Sequence, residues 1–513
     1  MTQAGSTDLR RVTAVDVLRE HARRAPERPF LVTRGDSRRS LAYGEFDDLT
    51  ERLAGTLLRD GLARGERIAL CLDNRDADSF YLTLFGCYKA GLVPVPVNSR
   101  LAPAEVEFIV GDCGARAVIA PPDRHESLRA LDARVERWSP HDVAARTAAP
   151  AGDVPPPDLD DLADILYTSG TTGLPKGAVF RHRALSAFGQ LMARTIRVAE
   201  TDVYQTAAPC YTSTGTHTCP LPILFIGGTF VVEDSFDVEV TAARLDEERS
   251  TAYFGVPAMF TLLVERLDPR RTFPFVRSIF FGGSAMPLPT LERIPERFPN
   301  AGLWNLYGLT EGGPNGCVLP PEHAYEHPES VGFPLERTEL RIVRDDGTDA
   351  APGEPGEIVL RAETMMEGYL DRPEETARVL VDGWLHTGDV GKRDEDGFVY
   401  IVDRKKDMII RGGFNVYPAE VEAVLLQHPA VLEAAVVGVP HPVLGEDIAA
   451  VVALRPGSTT TVAELEALCA ERLGDFKRPR HYRLLDQLPR STMGKVLRRE
   501  LRADLSEQLA SRL

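Results

Sequence analysis

Lysine is nearly absent from this 513-residue chain, where 52 arginines stand against seven lysines. Arginine cannot replace lysine where a compact, flexible point charge must reach one atom, so each remaining lysine is informative. Five of the seven, Lys176, Lys405, Lys406, Lys477 and Lys495, fall within motifs described below. Basic charge is also in deficit overall. A net charge of −17 argues against a nucleic-acid partner, which needs a basic face, although a few local donors can still hold a small anion. Long apolar runs are missing: residues 223–232 are broken by two glycines and fall far short of the ~20 residues a membrane helix needs. The amino terminus is polar, with no apolar stretch after Leu9-Arg10-Arg11, so neither a signal peptide nor a membrane span is expected. The cytoplasm is the expected location. The seven cysteines form no CxxC pair and are odd in number, which favours reduced, buried thiols over disulfides or a metal centre.

What is present is an ordinary globular composition, 43% hydrophobic and 26% charged, in a chain long enough for two or more domains. Phe46, Leu49, Leu53 and Leu57 recur at helical spacing and Gly61 closes the pattern. Residues 68–72, 93–97 and 117–119 read as strands, with helices over 79–90 and 104–110 between them. The alternation predicts an α/β fold, with a large N-terminal domain of doubly wound, mostly parallel sheets and ligands at the carboxyl ends of the strands. Toward the C-terminus, helices over 418–427 and 462–473 and strands over 431–439, 448–454 and 481–485 predict a small α+β domain.

The densest chemistry lies in Tyr167-Thr168-Ser169-Gly170-Thr171-Thr172-Gly173-Leu174-Pro175-Lys176-Gly177. The apolar Ile165-Leu166-Tyr167 precedes it, and an Ala- and Pro-rich connector, residues 148–157, lies further upstream. Glycines let the backbone turn and bring amide N–H groups close to an anion, while four hydroxyls and Lys176 face the same volume. Such a loop holds a polyphosphate. It is not a Walker loop, in which Gly-Lys-Ser/Thr opens a helix, because Pro175 precedes the lysine and Gly177 follows it. Following a strand, it is expected at a carboxyl end within the parallel sheet.

Further strings follow: Asn305-Leu306-Tyr307-Gly308-Leu309-Thr310-Glu311, Gly383-Trp384-Leu385-His386-Thr387-Gly388-Asp389, Asp403-Arg404-Lys405-Lys406-Asp407 and Pro489-Arg490-Ser491-Thr492-Met493-Gly494-Lys495. Taken with the loop, they resemble the acyl- and aryl-CoA synthetases of the adenylate-forming superfamily, and the likeness extends along most of the chain. The resemblance implies ATP, Mg²⁺ and CoA as cofactors and cosubstrates. It implies that Thr168, Ser169, Gly170, Thr171, Thr172, Gly173 and Lys176 hold phosphates. Gly283, Ser284 and Ala285 would pack on the adenine and the acyl group, with Asn305, Tyr307 and Gly308 completing the nucleotide site and Tyr307 stacking on the base. Thr310 would donate to the α-phosphate, Glu311 would hold the metal, and Asp389 and Arg404 would bind the ribose. A flat ring suits a purine and a hard carboxylate suits Mg²⁺. Tyr211, Thr212, Phe254, Gly283 and Leu309 would line the acyl pocket, and Gly412, Gly413, Phe476 and Arg478 would serve CoA. Lys406 is the implied pivot, which gives domains over 1–403 and 407–513 with a hinge at 404–406 and a mobile small domain.

The resemblance also implies a two-step reaction in which a carboxylic acid and ATP give an acyl-AMP, whose acyl group passes to the CoA thiol. One departure is Thr212, where the family typically has histidine; it motivates a relative that only takes a preformed acyl-AMP. A ligase that loads an acyl carrier protein would differ only in its acceptor, whereas a non-catalytic nucleotide-binding protein is disfavoured by the intact Lys495, Glu311 and Asp389. An amino acid substrate is disfavoured because residues 209–218 contain no acid to meet an ammonium. The apolar character of the pocket suits a fatty, aryl or polycyclic acid, and a homodimer is the default assembly. Lys495, the implied bridge between carboxylate and α-phosphate, gives a direct test. Lys495→Ala is expected to slow adenylation about 10²–10³-fold while sparing transfer from supplied acyl-AMP to CoA; separate assays of the two half-reactions check this, and equal losses would refute the role.

Overall fold

A computed structural model of the chain describes residues 10–34, 38–150, 152, 154–168, 175–314, 316–404, 407–411, 414–441, 444–490 and 496–510, with the backbone alone at 404, 414, 415 and 510. The chain forms two compact units, one of residues 1–340 with 359–386 and one of residues 341–358 with 387–513.

In the first unit the strands Gly302–Gly308, Ser278–Gly282, Ala252–Gly255, Val203–Thr206, Thr229–Val232 and Pro29–Thr33 run parallel in that spatial order. Antiparallel strands flank them, Gly316–Leu319 and Ser330–Pro334 at one side and Arg39–Ala42 at the other. Side chains alternate across this sheet. In register, Phe254, Phe280 and Trp304 enter one buried cluster, while Tyr253, Ile279 and Leu303 enter another on the opposite face. Both faces being apolar is why these strands read as continuous hydrophobic runs. A second, parallel sheet has the order Val93–Pro96, Arg67–Leu70, Ala117–Ile119 and Glu136–Trp138.

The strand before the phosphate loop departs from expectation. Leu162–Thr168 belongs to neither parallel sheet; it pairs antiparallel with Lys176–Arg181, Thr168 facing Lys176, and Gly368–Tyr369 adds a third strand. The reason is length. Seven residues separate Thr168 from Lys176, whereas a parallel crossover needs a dozen or more, so the loop closes a hairpin.

In the second unit Val431–His441 pairs antiparallel with Gly445–Leu454, and His481–Leu485 runs parallel to the latter. One face packs Val436, Ile448 and Val452 with Val421, Leu425 and Leu465 of the helices Pro418–Leu425 and Val462–Arg472. The other packs Val437, Val439 and Val451 with Leu501 and Leu505 of the helix Arg498–Ala510. A capping box starts the middle helix, Thr461 and Glu464 each bonding the other's backbone N–H. The seven cysteines are buried and form no disulfide among the described residues, and no helix among those residues is long and apolar enough to cross a membrane.

Lys89 and Glu233 are two of the ionisable side chains buried in the first unit. Lys89 is fully buried, and its Nζ donates to Asp47 Oδ1 at 2.6 Å and Asp47 O at 2.7 Å, with Glu51 Oε2 at 3.1 Å. It ties the helix Ala77–Ala90 to the helix Tyr43–Arg59. Lys89→Ala is expected to cost about 3 kcal/mol in urea denaturation, the low end for an ion pair broken on one side, because Asp47 and Glu51 stay partly hydrated. Glu233 is buried against Thr241 and against Gln205, whose Nε2 donates to Glu233 Oε1 at 3.0 Å. Burial pushes the Glu233 carboxyl from an ordinary 4.5 up to about 7, partly opposed by those hydrogen bonds. The folded state therefore holds the proton more tightly. Its stabilisation is full below pH 4.5 and is lost as the pH rises through 7. Glu233→Gln is expected to flatten melting temperature against pH across that window, which calorimetry checks.

Candidate active site

The one-turn helix Thr310–Gly312 follows the carboxyl end of the strand Gly302–Gly308. Gly313 ends the turn at φ +72°, and a Cβ there would lie 1.8 Å from the carbonyl oxygen of Thr364. Thr364 Oγ1 donates to Gly312 O at 2.8 Å and Met366 N–H to Glu311 O at 3.0 Å. The backbone of the turn is thus fixed from behind by residues 364–366, and only glycine fits at 313.

Glu311 Oε1 accepts two hydroxyl donors, Thr168 Oγ1 at 3.1 Å and Tyr369 Oη at 2.8 Å. Thr168 ends the first strand of the phosphate hairpin, and Tyr369 comes from the short strand added to it. Lys176 Nζ, at the start of the second hairpin strand, lies 5.3 Å from the Tyr369 ring centroid and 3.6 Å from Glu375 Oε1. Burial first, then the Glu311 carboxylate, holds the Tyr369 phenol far above its ordinary range, so it remains a donor. Behind the hairpin, Asp112 accepts from Tyr167 Oη at 2.7 Å and Arg372 Nη2 at 2.5 Å.

Tyr211 and Thr212, expected at the acyl pocket, lie on a different segment. Thr310 Oγ1 donates to Ser213 Oγ at 3.1 Å, linking the turn to the loop that carries Tyr211 and Thr212. Thr212 acts on its own loop: its Oγ1 donates to Pro209 O at 2.7 Å and accepts from Gly215 N–H at 3.2 Å. Gly215 is required there, since a Cβ would stand 2.3 Å from Pro209 O. Tyr211 and Phe254 are buried, and the Tyr211 hydroxyl meets no hydrogen-bond partner among the described residues. Leu309 and Tyr307 are half-buried, whereas Gly283, Ser284, Ala285 and Gly308 are exposed at strand ends. The amide of Asn305 donates inward, to Ser330 O at 3.0 Å.

Beneath the loop lies a network that the sequence reading missed. His217 Nε2 lies 2.8 Å from Asp164 Oδ2, which also accepts from Tyr88 Oη at 2.6 Å, and all three side chains are buried. Asp164 is on the strand Leu162–Thr168, and His217 lies within the turn Thr214–Thr218 that follows Ser213. The network therefore fastens the strand Leu162–Thr168 and the turn Thr214–Thr218 to one interior point. Neighbouring His182 is buried, which pushes its pKa down to about 4 and keeps it neutral. Polar residues spaced 53 and 76 apart give no local signal of this pairing.

In the second unit, Asp389 and Arg404 face each other across the antiparallel pair formed by Trp384–Arg393 and Val399–Arg404. Asp389 is buried and its N–H donates to Thr387 Oγ1 at 3.1 Å. Lys477 Nζ donates to Glu420 Oε2 at 2.5 Å and lies 5.6 Å from the ring of Phe476, while Arg478 Nε donates to Leu473 O at 2.9 Å. Arg411 Nε donates to Asp447 Oδ1 at 2.6 Å on the strand before Gly412. Ser169, Gly170, Thr171, Thr172, Gly173, Lys406, Gly412, Gly413, Lys495 and the Arg404 side chain lie outside the described residues.

Comparison with known proteins agrees with these motifs. The AMP-binding enzyme family matches residues 18–370, and the AMP-binding enzyme C-terminal domain matches residues 420–495. Feruloyl-CoA synthase of Amycolatopsis sp is 38% identical over 474 residues, covering 90% of this chain and 94% of that protein. The fatty acid–[acyl-carrier-protein] ligase ScoC of Streptomyces coeruleorubidus is 35% identical, with 96% of each covered. Among solved structures, o-succinylbenzoate CoA synthetase from Bacillus subtilis in complex with its acyl-adenylate intermediate superposes with a TM-score of 0.85 at 30% identity, covering 94% of this chain and 97% of that one.

Gly313→Ala tests the turn. Displacing Thr310 and Glu311 by about 1 Å is expected to lower acid-dependent pyrophosphate release about 10²-fold, measured by coupled assay on protein whose circular dichroism is unchanged.

Proposed function

Because the chain belongs to the AMP-binding enzyme family, and is an ATP-dependent acyl-CoA ligase, we propose that it activates a hydrophobic carboxylic acid with an uncharged body, aryl acids foremost. The observation that carries this reading is the hydrogen bond between Ser213 and Thr310. It sets the pocket loop beside the turn proposed to meet the α-phosphate, as attack by a carboxylate on phosphorus requires. Residues 209–218 contain no Asp, Glu, Lys or Arg, and the one histidine, His217, faces inward to Asp164. The buried Tyr211 hydroxyl suits a polar ring substituent. A feruloyl-CoA synthase and an o-succinylbenzoate synthetase among the relatives support an aryl acid.

In the first step the carboxylate oxygen bonds to the α-phosphorus of ATP and pyrophosphate leaves. In the second, the CoA thiol loses its proton, its sulfur bonds to the acyl carbon, and AMP leaves. A weak nucleophile approaching a polyanion needs positive charge and alignment above all. Thr310 donates to the α-phosphate, and Lys176 and the phosphate-loop amides meet the outer phosphates. Lys495 bridges carboxylate and phosphate. Tyr307 and Gly283–Ala285 flank the adenine, and Asp389 and Arg404 take the ribose hydroxyls. The carboxylate of Glu311 beside the Thr168 hydroxyl is an all-oxygen set that suits Mg²⁺, which takes few protein ligands and completes its shell with phosphate and water. When bound, the ion neutralises phosphate charge. Rotation about Lys406 exchanges Lys495 for Gly412, Gly413, Phe476 and Arg478, so one site serves both steps. Thr212, engaged in its own turn, is a scaffold residue.

A second reading, with a carrier-protein thiol as acceptor, is favoured by the likeness to a fatty acid–carrier ligase. Pyrophosphate release should be strongest with hydroxycinnamic and benzoic acids, with the acyl-CoA formed in equal amount. Release with fatty acids alone would overturn the aryl assignment. Acyl-AMP accumulating with CoA present, but discharging onto a carrier protein, would establish the second reading.

A further inference from the structure

We propose that Tyr369 is a positioning residue for the charge of ATP and its metal: its hydroxyl fixes the Glu311 carboxylate and its ring fixes the Lys176 ammonium. This rests on Glu311 as the metal ligand. The two groups come from different elements, Glu311 from the turn after the strand Gly302–Gly308 and Lys176 from the phosphate hairpin. Tyr369 reaches both, with Oη 2.8 Å from Glu311 Oε1 and its ring centroid 5.3 Å from Lys176 Nζ, within cation–π range.

Its own backbone is held tightly. Gly368 and Tyr369 pair with Val179 and Ala178, Glu367 N–H donates to Val179 O at 2.8 Å, and Leu370 N–H to Gly177 O at 2.8 Å. Tyr369 N–H donates to Thr376 Oγ1 at 2.9 Å. A rigid phenol on this strand thus measures the distance between turn and hairpin. The bond to Oε1 is shared with Thr168, and Oε2 takes no hydrogen bond from the described residues. A carboxylate gripped through one oxygen presents the other in a fixed direction, which is how outer-shell partners tune a metal site. Lys176 also has Glu375 at 3.6 Å, and the ring gives the ammonium a second, uncharged seat beside the phosphates.

Full-length Tyr369→Phe, Tyr369→Leu and Glu311→Gln proteins separate these roles without turnover. Mn²⁺ binding to the ATP-loaded protein is followed by electron paramagnetic resonance in the absence of acid, and ATP binding in chelator by calorimetry. Removing the hydroxyl alone is expected to weaken Mn²⁺ binding about 10-fold, as loss of an outer-shell partner does, and to leave metal-free ATP binding unchanged. Removing the ring as well is expected to weaken metal-free ATP binding a further ~3-fold. A merely structural role would instead lower the melting temperature and shift both affinities together. Parental Mn²⁺ affinity in Tyr369→Phe, with Glu311→Gln impaired, would overturn the proposal alone. Parental Mn²⁺ affinity in Glu311→Gln would overturn the metal role of Glu311 and the proposal with it.

Discussion

Two hydroxyls meeting one carboxylate oxygen hold together the candidate site of the first unit. Thr168 and Tyr369 lie 143 and 58 residues from Glu311 in the chain, so the phosphate hairpin, its added strand and the turn after the central sheet are all fixed at one atom. Hydrogen bonds to a charged group contribute about 1.5–3 kcal/mol each, and here they set geometry as much as stability. The supporting features follow from this requirement. Gly313 lets the turn approach Thr364 O so closely that a Cβ would stand 1.8 Å from it, and Thr364 and Met366 bind the turn from behind.

A buried polar layer carries the constraint outward. Asp164, His217 and Tyr88 secure the loop that holds Ser213, and Ser213 in turn meets Thr310. Buried hydrogen bonds of this kind penalise any shift that breaks one of them, and here the hold runs through Asp164 Oδ2, since Oδ1 meets no partner among the described residues. The segment 209–218 is therefore registered against the hairpin of Leu162–Thr168 and Lys176–Arg181 through the interior, and against the turn Thr310–Gly312 through Ser213. Lys89 and Glu233 do comparable work further away, pinning helices to their neighbours rather than touching substrate.

Catalytic logic explains the economy of charge at the site. With few lysines in the whole chain, two of those in the motifs, Lys176 and Lys477, are held individually among the described residues: Lys176 by Glu375 and the Tyr369 ring, Lys477 by Glu420 and the Phe476 ring. Each ammonium keeps one carboxylate and one aromatic face, which orients it without full neutralisation.

Local chemistry was legible from residues alone. The order of hydroxyls and glycines in 168–173, the Thr310-Glu311 pair after a strand, the helix spacing of Phe46 to Leu57 and the strand at 481–485 all depend on near neighbours, so periodicity and motif order determine them. Pairing across the chain was not. That the phosphate loop closes an antiparallel hairpin, that Tyr369 joins it, that Thr212 caps its own turn and that Asp164 meets His217 are settled by register and burial between distant segments. Lys89 shows the boundary most clearly: it lies in none of the motifs, and only the helix packed opposite, bringing Asp47 and Glu51, made it structural. Sequence determined which groups the chain carries, and the tertiary structure decided which of them meet, because a hydrogen bond depends on position in space and the sequence records only order along the chain.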